Sequence, residues 1–308
     1  KQYISIIEKI NFQISNIYFR FLTKIYKTNR LYIFLVEENM KMRALMTVAG
    51  VCALATASAI TPAVAKVDGD TIILGSSISL TGKYATNGLH TQRGYDFAVK
   101  TINDAGGVKV GGKSYKLAVT YYDDESTPAR GAQLAERLIQ QDGVEYMLGP
   151  YSSGMTKAIA PVSEKFGVPM VEAEGASRSL FTQGYKYLFA VLSTSEQYLA
   201  TAVDMAAAST SDPKSIKVAM AFEGDPFSMD VRAGVIDKLN EYGMKTIIDD
   251  QLPADLSDMS TTLTKVKALK PDILIISGHS KGAATAARQI DEMKVNVPMI
   301  AMTHCEAA

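Results

Sequence analysis

From residue 71 onward, short apolar runs alternate with longer stretches whose apolar positions recur every three or four residues. The runs at 71–78, 115–122, 144–148, 168–171 and 187–191 predict strands. Helical spacing between them predicts 88–104, where Leu89, Tyr95, Phe97, Val99 and Ile102 recur, and 128–141, with Leu134, Leu138 and Ile139 on one face. A third helix is predicted over 152–166, closed by Gly167. The alternation then starts again. Strands are predicted at 216–222, 245–250, 273–277 and 297–301, and helices at 195–208, 226–242, 256–269 and 281–293. Short strands alternating with helices argue parallel sheets covered on both faces, and two such runs argue an α/β chain with two doubly wound parallel-sheet lobes, 66–192 and 193–308.

In sheets of this kind ligands bind beyond the carboxyl ends of the strands. The loops after strands therefore hold the candidate chemistry. Gly149-Pro150-Tyr151-Ser152-Ser153-Gly154 leads from a strand into a helix. Free N–H groups and partial positive charge at a helix start suit a carboxylate, and serine hydroxyls add donors. A plainer reading makes Ser152 or Ser153 a helix cap only. Glu172-Ala173-Glu174-Gly175-Ala176-Ser177 follows the next strand; Gly175 permits close backbone approach and Ser177 offers a donor. In the second run, the corresponding loops carry Phe227, His279 and the segment Thr303-His304-Cys305-Glu306.

The first 65 residues differ from the rest. Residues 1–39 contain no methionine and are crowded with Ile, Lys, Tyr, Asn and Phe. They read either as an amphipathic leader or as non-native upstream sequence. From Met40, a basic start (Lys41, Arg43), an apolar core over 44–60 and a small-residue site at Ala63-Val64-Ala65 make 40–65 an expected secretory signal peptide. Cys52 falls inside that apolar core, with bulky Val51 before it, so it is not expected to carry lipid. The expected location is the periplasm.

Composition removes several alternatives. Lys+Arg and Asp+Glu are equal at 32 each, so the chain carries no electrostatic footprint for nucleic acid. Two cysteines, Cys52 and Cys305, and three histidines argue against a disulfide framework or a metal site, and no cofactor is expected. Gly107–Ser114 fits the phosphate-loop pattern G-x-x-x-x-G-K-S, but a helix precedes it and a strand follows, so a tight turn is expected there. Asp123-Asp124-Glu125 reads as a solvated loop rather than a cation site, and His90 as surface or half-buried. No G-x-S-x-G elbow is present. An amidase or hydrolase remains open only if His279 or His304 approaches Ser153.

Several segments resemble periplasmic leucine/isoleucine/valine-binding proteins. These are 75–82 (GSSISLTG), Gly88 with the helix running to Asn103-Asp104-Ala105-Gly106-Gly107, Tyr122-Asp123-Asp124, the 149–154 loop and Phe166-Gly167-Val168-Pro169. The resemblance implies a hinged clamshell that passes a small carboxylate-bearing ligand, an amino acid or related organic acid, to the permease subunits of an ATP-driven importer. It implies a monomeric binder that is not an enzyme; the same scaffold also serves as a receptor's ligand-sensing module. By motif, Ser153 resembles the carboxylate-binding serine, flanked by Tyr151 and Ser152. Gly175, Ala176 and Ser177 resemble the next loop's contacts, and Phe227 a ring on the second lobe. Asn87 and His279 fall where the family often has aromatic lining residues, so a ligand without an ammonium group stays open. Thr303, His304 and Glu306 fall near the acid that pairs with the ligand ammonium. The family returns to its first lobe after the second, which implies a fold that is C-terminally incomplete at Ala308.

Overall fold

In the computed structural model, which describes residues 67–305, the chain builds two sheets in succession. The expected segments 1–39 and 40–65, with Cys52, and the expected ligand contact Glu306 lie outside the described residues. The first sheet has strands β1 (Val67–Asp68), β2 (Thr71–Ile78), β3 (Val108–Val110), β4 (Lys113–Asp123), β5 (Met147–Leu148), β6 (Met170–Glu172) and β7 (Leu188–Ala190). Their order is β3-β4-β2-β5-β6-β7, with β1 also paired to β2. Helices α1 (Ala85–Asp104), α2 (Pro128–Gln140) and α3 (Ser153–Phe166) connect them. The second sheet has strands β8 (Lys217–Glu223), β9 (Lys245–Leu252), β10 (Ile273–Ser277) and β11 (Met299–Met302), in the order β11-β10-β8-β9. It carries helices α4 (Ala200–Ala208), α5 (Pro226–Tyr242), α6 (Ser260–Leu269) and α7 (Ser280–Glu292). Every pairing in the second sheet is parallel, and in the first only β1–β2 and β3–β4 are antiparallel.

Burial on both faces explains the parallel cores. Successive strand residues point to opposite faces, so a strand buried throughout needs cover on both. Val218 through Phe222 of β8 and Ile273 through Ile276 of β10 are buried at every position. Val218, Met220, Phe222, Ile273 and Ile275 pack with Val231, Val235 and Leu239 of α5. The alternate residues Ala219, Ala221, Leu274 and Ile276 pack with Leu263 and Val266 of α6 and Ala286 of α7.

The helix ends follow local chemistry. Asp225 caps α5 by accepting the Phe227 and Ser228 N–H groups, and Pro226 fits the first helical position. Gly243 closes the same helix at φ 67°. Gly167 closes α3 at φ 66° in the same way.

Four sequence expectations shift. The helix expected over 195–208 is broken: a short 3₁₀ turn covers Ser195–Gln197, Leu199 sits at φ 59°, and α4 starts at Ala200. That turn is pinned from outside, because the Ser195 N–H donates to the Ala176 carbonyl oxygen at 2.8 Å and the turn rests on α5 at Gly234. The helix expected from 256 starts at Ser260, whose N–H donates to Asp258 Oδ1 at 3.0 Å, while Leu256 plugs the core ahead of it. Helix α1 begins at Ala85, three residues earlier than the apolar spacing indicates. The acidic run is no solvated loop: Asp124 is fully buried and fastens the β2–α1 connection. The Gly107–Ser114 segment forms a strand–turn–strand hairpin, with Val110 paired to Lys113 and Gly111 and Gly112 at φ 57° and 83°. His90 is exposed.

Candidate functional site

The carboxyl ends of β5 and β6 in the first sheet and of β8 and β10 in the second face one narrow cleft. On the first side, the chain leaves β5 and enters α3 through Ser152, which adopts φ 78°, a conformation costly for a residue with a side chain. The Ser152 hydroxyl accepts the Met155 N–H at 3.3 Å and so caps the helix. The leading N–H groups of α3 have no partner inside the helix, and its positive end points at the cleft. Ser153 Oγ accepts the Ser177 N–H at 2.9 Å, which ties the loop after β6 to the start of α3.

Glu172 organises that loop. It ends β6 and is fully buried. Its Oε1 accepts the N–H groups of Glu174 and Gly175, each at 2.6 Å, and its Oε2 faces the Thr156 hydroxyl at 2.8 Å. Burial raises its carboxyl to about 7, against the pull of those donors. Protonated Glu172 can donate to Thr156 Oγ1 while the Thr156 hydroxyl donates to the Ser152 carbonyl oxygen at 2.9 Å. Gly175 is needed here, since a Cβ at this position would stand 2.4 Å from Thr156 Oγ1.

The β2–α1 connection brings in Tyr84. Asp124 Oδ1 accepts the Ser79 hydroxyl at 2.6 Å and the Ser126 N–H at 2.9 Å, and Ser126 Oγ accepts the Tyr84 N–H at 3.0 Å. Tyr84 thereby packs against Tyr151 and His279, with ring centroids 5.5 and 4.9 Å apart.

The opposite wall comes from the second sheet. His279 precedes α7, and its N–H donates to Glu223 Oε1 at 3.2 Å. Burial raises the Glu223 carboxyl to about 7, partly offset by His279. Burial also opposes ionisation of Asp225, but the His279 ring and Ser228 outweigh it and hold that carboxyl below its usual range. Thr303 donates to the Gly278 carbonyl oxygen at 2.8 Å and accepts the Gly278 N–H at 3.0 Å, which locks the β11 end to the β10–α7 loop.

Two histidines of the second side meet one tyrosine of the first. Tyr151 Oη lies 2.8 Å from His279 Nδ1 and 3.3 Å from His304 Nε2. His304 Nδ1 faces the Gly278 carbonyl oxygen at 2.9 Å, an acceptor only, so that nitrogen carries a proton. The Tyr151 hydroxyl has one proton to give, so it donates to one of these two ring nitrogens and can accept from the other. A proton on His279 Nε2 would then face Asp225 Oδ1, 3.6 Å away. All four imidazole nitrogens are thus directed at groups other than Ser153.

Tyr151, Ser152, Ser153, Ala176, Phe227, His279 and His304, all expected as ligand contacts, line one cavity, joined by Glu174, Leu192 and Tyr198. Other expected contacts lie elsewhere. Ser177 donates its hydroxyl proton to Asp230 Oδ2 of α5 at 2.6 Å, so it ties the two sides together. Thr303 is bonded to Gly278 and Gly175 to Glu172, and neither lines the cavity. Asn87 is half-buried in the first turn of α1 and does not line the cavity; Tyr84, three residues earlier, supplies the ring on that side. Sequence reasoning missed Glu174, Leu192, Tyr198 and Tyr84. Glu174 stood in a loop already singled out, while the other three carry no local signal.

The cavity holds about 40 Å³, room for a few water molecules, so the two sides must part to admit an organic ligand. Larger hollows of about 490 and 480 Å³ lie elsewhere. The first is lined by Lys217, Asp272, Ile273 and Met299, at the amino ends of their strands, the wrong end for ligands in such sheets. Glu223, Asp225 and His279 bring possible metal ligands within 4.8 Å of one another. Asp225 Oδ1 caps α5 and Glu223 Oε1 takes the His279 N–H, while Asp225 Oδ2 is buried without a hydrogen-bond partner.

Residues 71–306 match the family model described as periplasmic binding protein. The chain belongs to the periplasmic binding protein family. Among curated relatives of this periplasmic binding protein, "Leu/Ile/Val-binding protein homolog 8" of Brucella suis biovar 1 (strain 1330) is 26% identical over 259 residues, covering 82% of this chain and 62% of the relative. The chain thus spans less than two thirds of that relative's length. Among solved structures, the substrate binding protein LivJ from Streptococcus pneumoniae, in complex with isoleucine, is 25% identical with a TM-score of 0.62. That match covers 75% of this chain and 64% of LivJ. A solute binding protein of an ABC transporter from Rhodopseudomonas palustris BisB5, in complex with 3,4-dihydroxybenzoic acid, is 24% identical with a TM-score of 0.64. That match covers 76% of this chain and 61% of the neighbour.

Proposed function

We propose that this chain captures a small carboxylate-bearing solute in the periplasm and delivers it, untransformed, to the permease subunits of an ATP-driven importer. The observation that carries this reading is the start of α3, with Ser152 and Ser153, opening into a cavity whose far wall is formed by Phe227, His279 and His304. The ligand carboxylate docks on the leading N–H groups of α3 and on the Ser152 and Ser153 hydroxyls, whose protons are not used by the bonds that those oxygens accept. The second side then closes over it. Because the ligand touches both sides only when closed, it shifts the population toward that form. Names of the relatives support the class of cargo, an amino acid or an aromatic acid. The bonding of both histidines favours a binder over a serine hydrolase, since neither imidazole is directed at Ser153.

Calorimetric titration with leucine, isoleucine and 4-hydroxybenzoate tests this reading. Hydrogen bonds to a charged group contribute about 1.5–3 kcal/mol each, so Ser152→Ala with Ser153→Ala is expected to weaken binding at least tenfold. Unchanged affinity in the double variant would remove the site assignment, and recovery of a chemically altered ligand would remove the binder reading.

A further inference from the structure

Three side chains of the second sheet converge beside the cleft. Glu223 ends β8, Asp225 stands just beyond it, and His279 follows β10. They are 1%, 8% and 5% exposed, and one ligand atom from each lies within 4.8 Å of the others. A buried carboxylate needs partners, because a charged oxygen left unpaired away from water is costly. Framework bonds supply only some of them. Asp225 Oδ1 accepts the Phe227 and Ser228 N–H groups, but Asp225 Oδ2 has no hydrogen-bond partner. A helix cap uses one carboxylate oxygen, so capping does not explain the second. His279 Nε2 lies 3.6 Å from Asp225 Oδ1, too far for a hydrogen bond. Room is also kept for the cluster: a Cβ at Gly278 or Gly282 would stand 2.3 or 2.2 Å from Glu223 Oε1.

Two carboxylates and an imidazole are a donor set for zinc, with the fourth tetrahedral position left to a water molecule. Calcium and magnesium take oxygen ligands, so the imidazole selects against them. Metal–ligand bonds of about 2.0–2.2 Å put tetrahedral donors about 3.4 Å apart. The existing separations close to that spacing through small side-chain rotations. His279 is also held as a ligating histidine is held, by a partner on its other nitrogen. Its Nδ1 lies 2.8 Å from Tyr151 Oη, so a metal on Nε2 leaves the ring proton on Nδ1, where it donates to Tyr151. Tyr151 then gives its own proton to His304 Nε2, 3.3 Å away. Lys83, Lys281 and Asp255 line the small hollow outside Glu223 and His279. The Lys83 ammonium rests over the Tyr84 ring, 4.6 Å from its centroid, and the flexible stems of both lysines let them turn from an incoming cation.

We propose that Glu223, Asp225 and His279 form a zinc site in the wall of the second sheet, with Tyr151 of the first sheet as the outer partner of the ligating imidazole. The members come from loops far apart in the chain, so no metal-ligand spacing displays them in the sequence. The site needs no particular solute in the cleft and stands apart from the transport reading.

The test is zinc binding by the untagged full chain after chelator treatment, measured by calorimetry and by competition with a zinc-sensitive dye, with cobalt absorption spectra reporting the ligand geometry. Asp225→Asn keeps an oxygen for the α5 cap and Glu223→Gln keeps one for the His279 N–H, so both remove a charged ligand without removing the framework bond. Wild type is expected to bind one zinc per chain, to melt higher with zinc than with magnesium, and to give the intense visible bands of tetrahedral cobalt. Each carboxamide variant weakens zinc binding at least tenfold and loses the zinc-dependent rise in melting temperature. Tyr151→Phe weakens zinc binding about 10–100-fold. His90→Ala, which removes an exposed imidazole, leaves it unchanged. No zinc bound by wild type, zinc affinity unchanged in both carboxamide variants, or zinc binding lost in His90→Ala overturns the site. Unchanged affinity in Tyr151→Phe overturns the outer role of Tyr151. If a variant fails to fold, the wild-type stoichiometry and cobalt spectrum still decide, and absence of the tetrahedral bands overturns the proposal.

Discussion

The phenol oxygen of Tyr151, carried by the first sheet, lies 2.8 Å from Nδ1 of His279, carried by the second. Together with the Ser177–Asp230 bond at 2.6 Å, this contact holds the two sides of the cleft against each other. A ligand that enters between them must replace the Tyr151 contact or accommodate it. Tyr151→Phe keeps the ring and removes the hydroxyl, so the closed form loses about 1 kcal/mol. Small-angle scattering of the ligand-free variant is expected to show a larger radius of gyration than wild type, with the melting temperature lower by about 2–4 °C. Identical scattering curves would show that Tyr151 does not hold the cleft closed.

Gly234 is where the crossing from the first sheet to the second rests on α5. A Cβ there would stand 1.7 Å from the Glu196 carbonyl oxygen, a backbone atom that cannot swing aside. Gly234→Ala is therefore expected to destabilise the protein by more than about 2 kcal/mol. Gly94, inside α1, has nothing within 4 Å of its Cβ position, so Gly94→Ala is expected to stabilise by about 0.5–1 kcal/mol. Urea titration of the two variants checks the contrast, and destabilisation of similar size at both sites would contradict it.

Glu172 makes stability depend on pH in a defined direction. Its carboxyl titrates near the usual 4.5 when the chain is unfolded and at about 7 when folded. Between those values the folded state holds a proton that the unfolded state has released, so stability falls as pH rises through this window. Glu172→Gln keeps an oxygen for the two N–H groups and offers an N–H to Thr156, without the ionisation. The melting temperature of the variant relative to wild type is expected to increase from pH 5 to pH 7.5, by the equivalent of about 3 kcal/mol at most. A constant offset across that range would show that Glu172 titrates normally.

Much of the second sheet was legible in the residues. Ile273–Ser277 and Pro226–Tyr242 lie where the patterning predicted them. The strand is apolar at nearly every position, and the helix carries its own start and stop in Asp225, Pro226 and Gly243. The place of the 149–154 loop was also legible, because a strand followed by small polar residues and a helical stretch marks a helix start. Of the two roles weighed for Ser152, its oxygen takes the plain one and caps α3, and the ligand-binding one belongs to the proposal. What the residues did not disclose depends on distant partners. The break at Leu199 follows from Gly234, far along the chain. Tyr84 reaches the cleft because Ser126, 42 residues away, holds its N–H, and Ser126 is in turn held by Asp124. The acidic run looked solvated because burial of Asp124 is compensated by Ser79, which no local pattern reveals. The bond from the Ser177 hydroxyl to Asp230, on the other side, is likewise one that no local pattern reveals.

The central claim places the ligand at the start of α3, between the two sheets. Diffraction from crystals grown with the tightest ligand of the titration series tests it most directly. Difference density is expected in the space bounded by Ser152, Ser153, Glu174, Phe227 and His279, with the ligand carboxylate at the α3 N–H groups. Density instead in the hollow lined by Lys217 and Asp272, with the cleft unchanged, would place the ligand at the opposite end of the strands and refute the proposal.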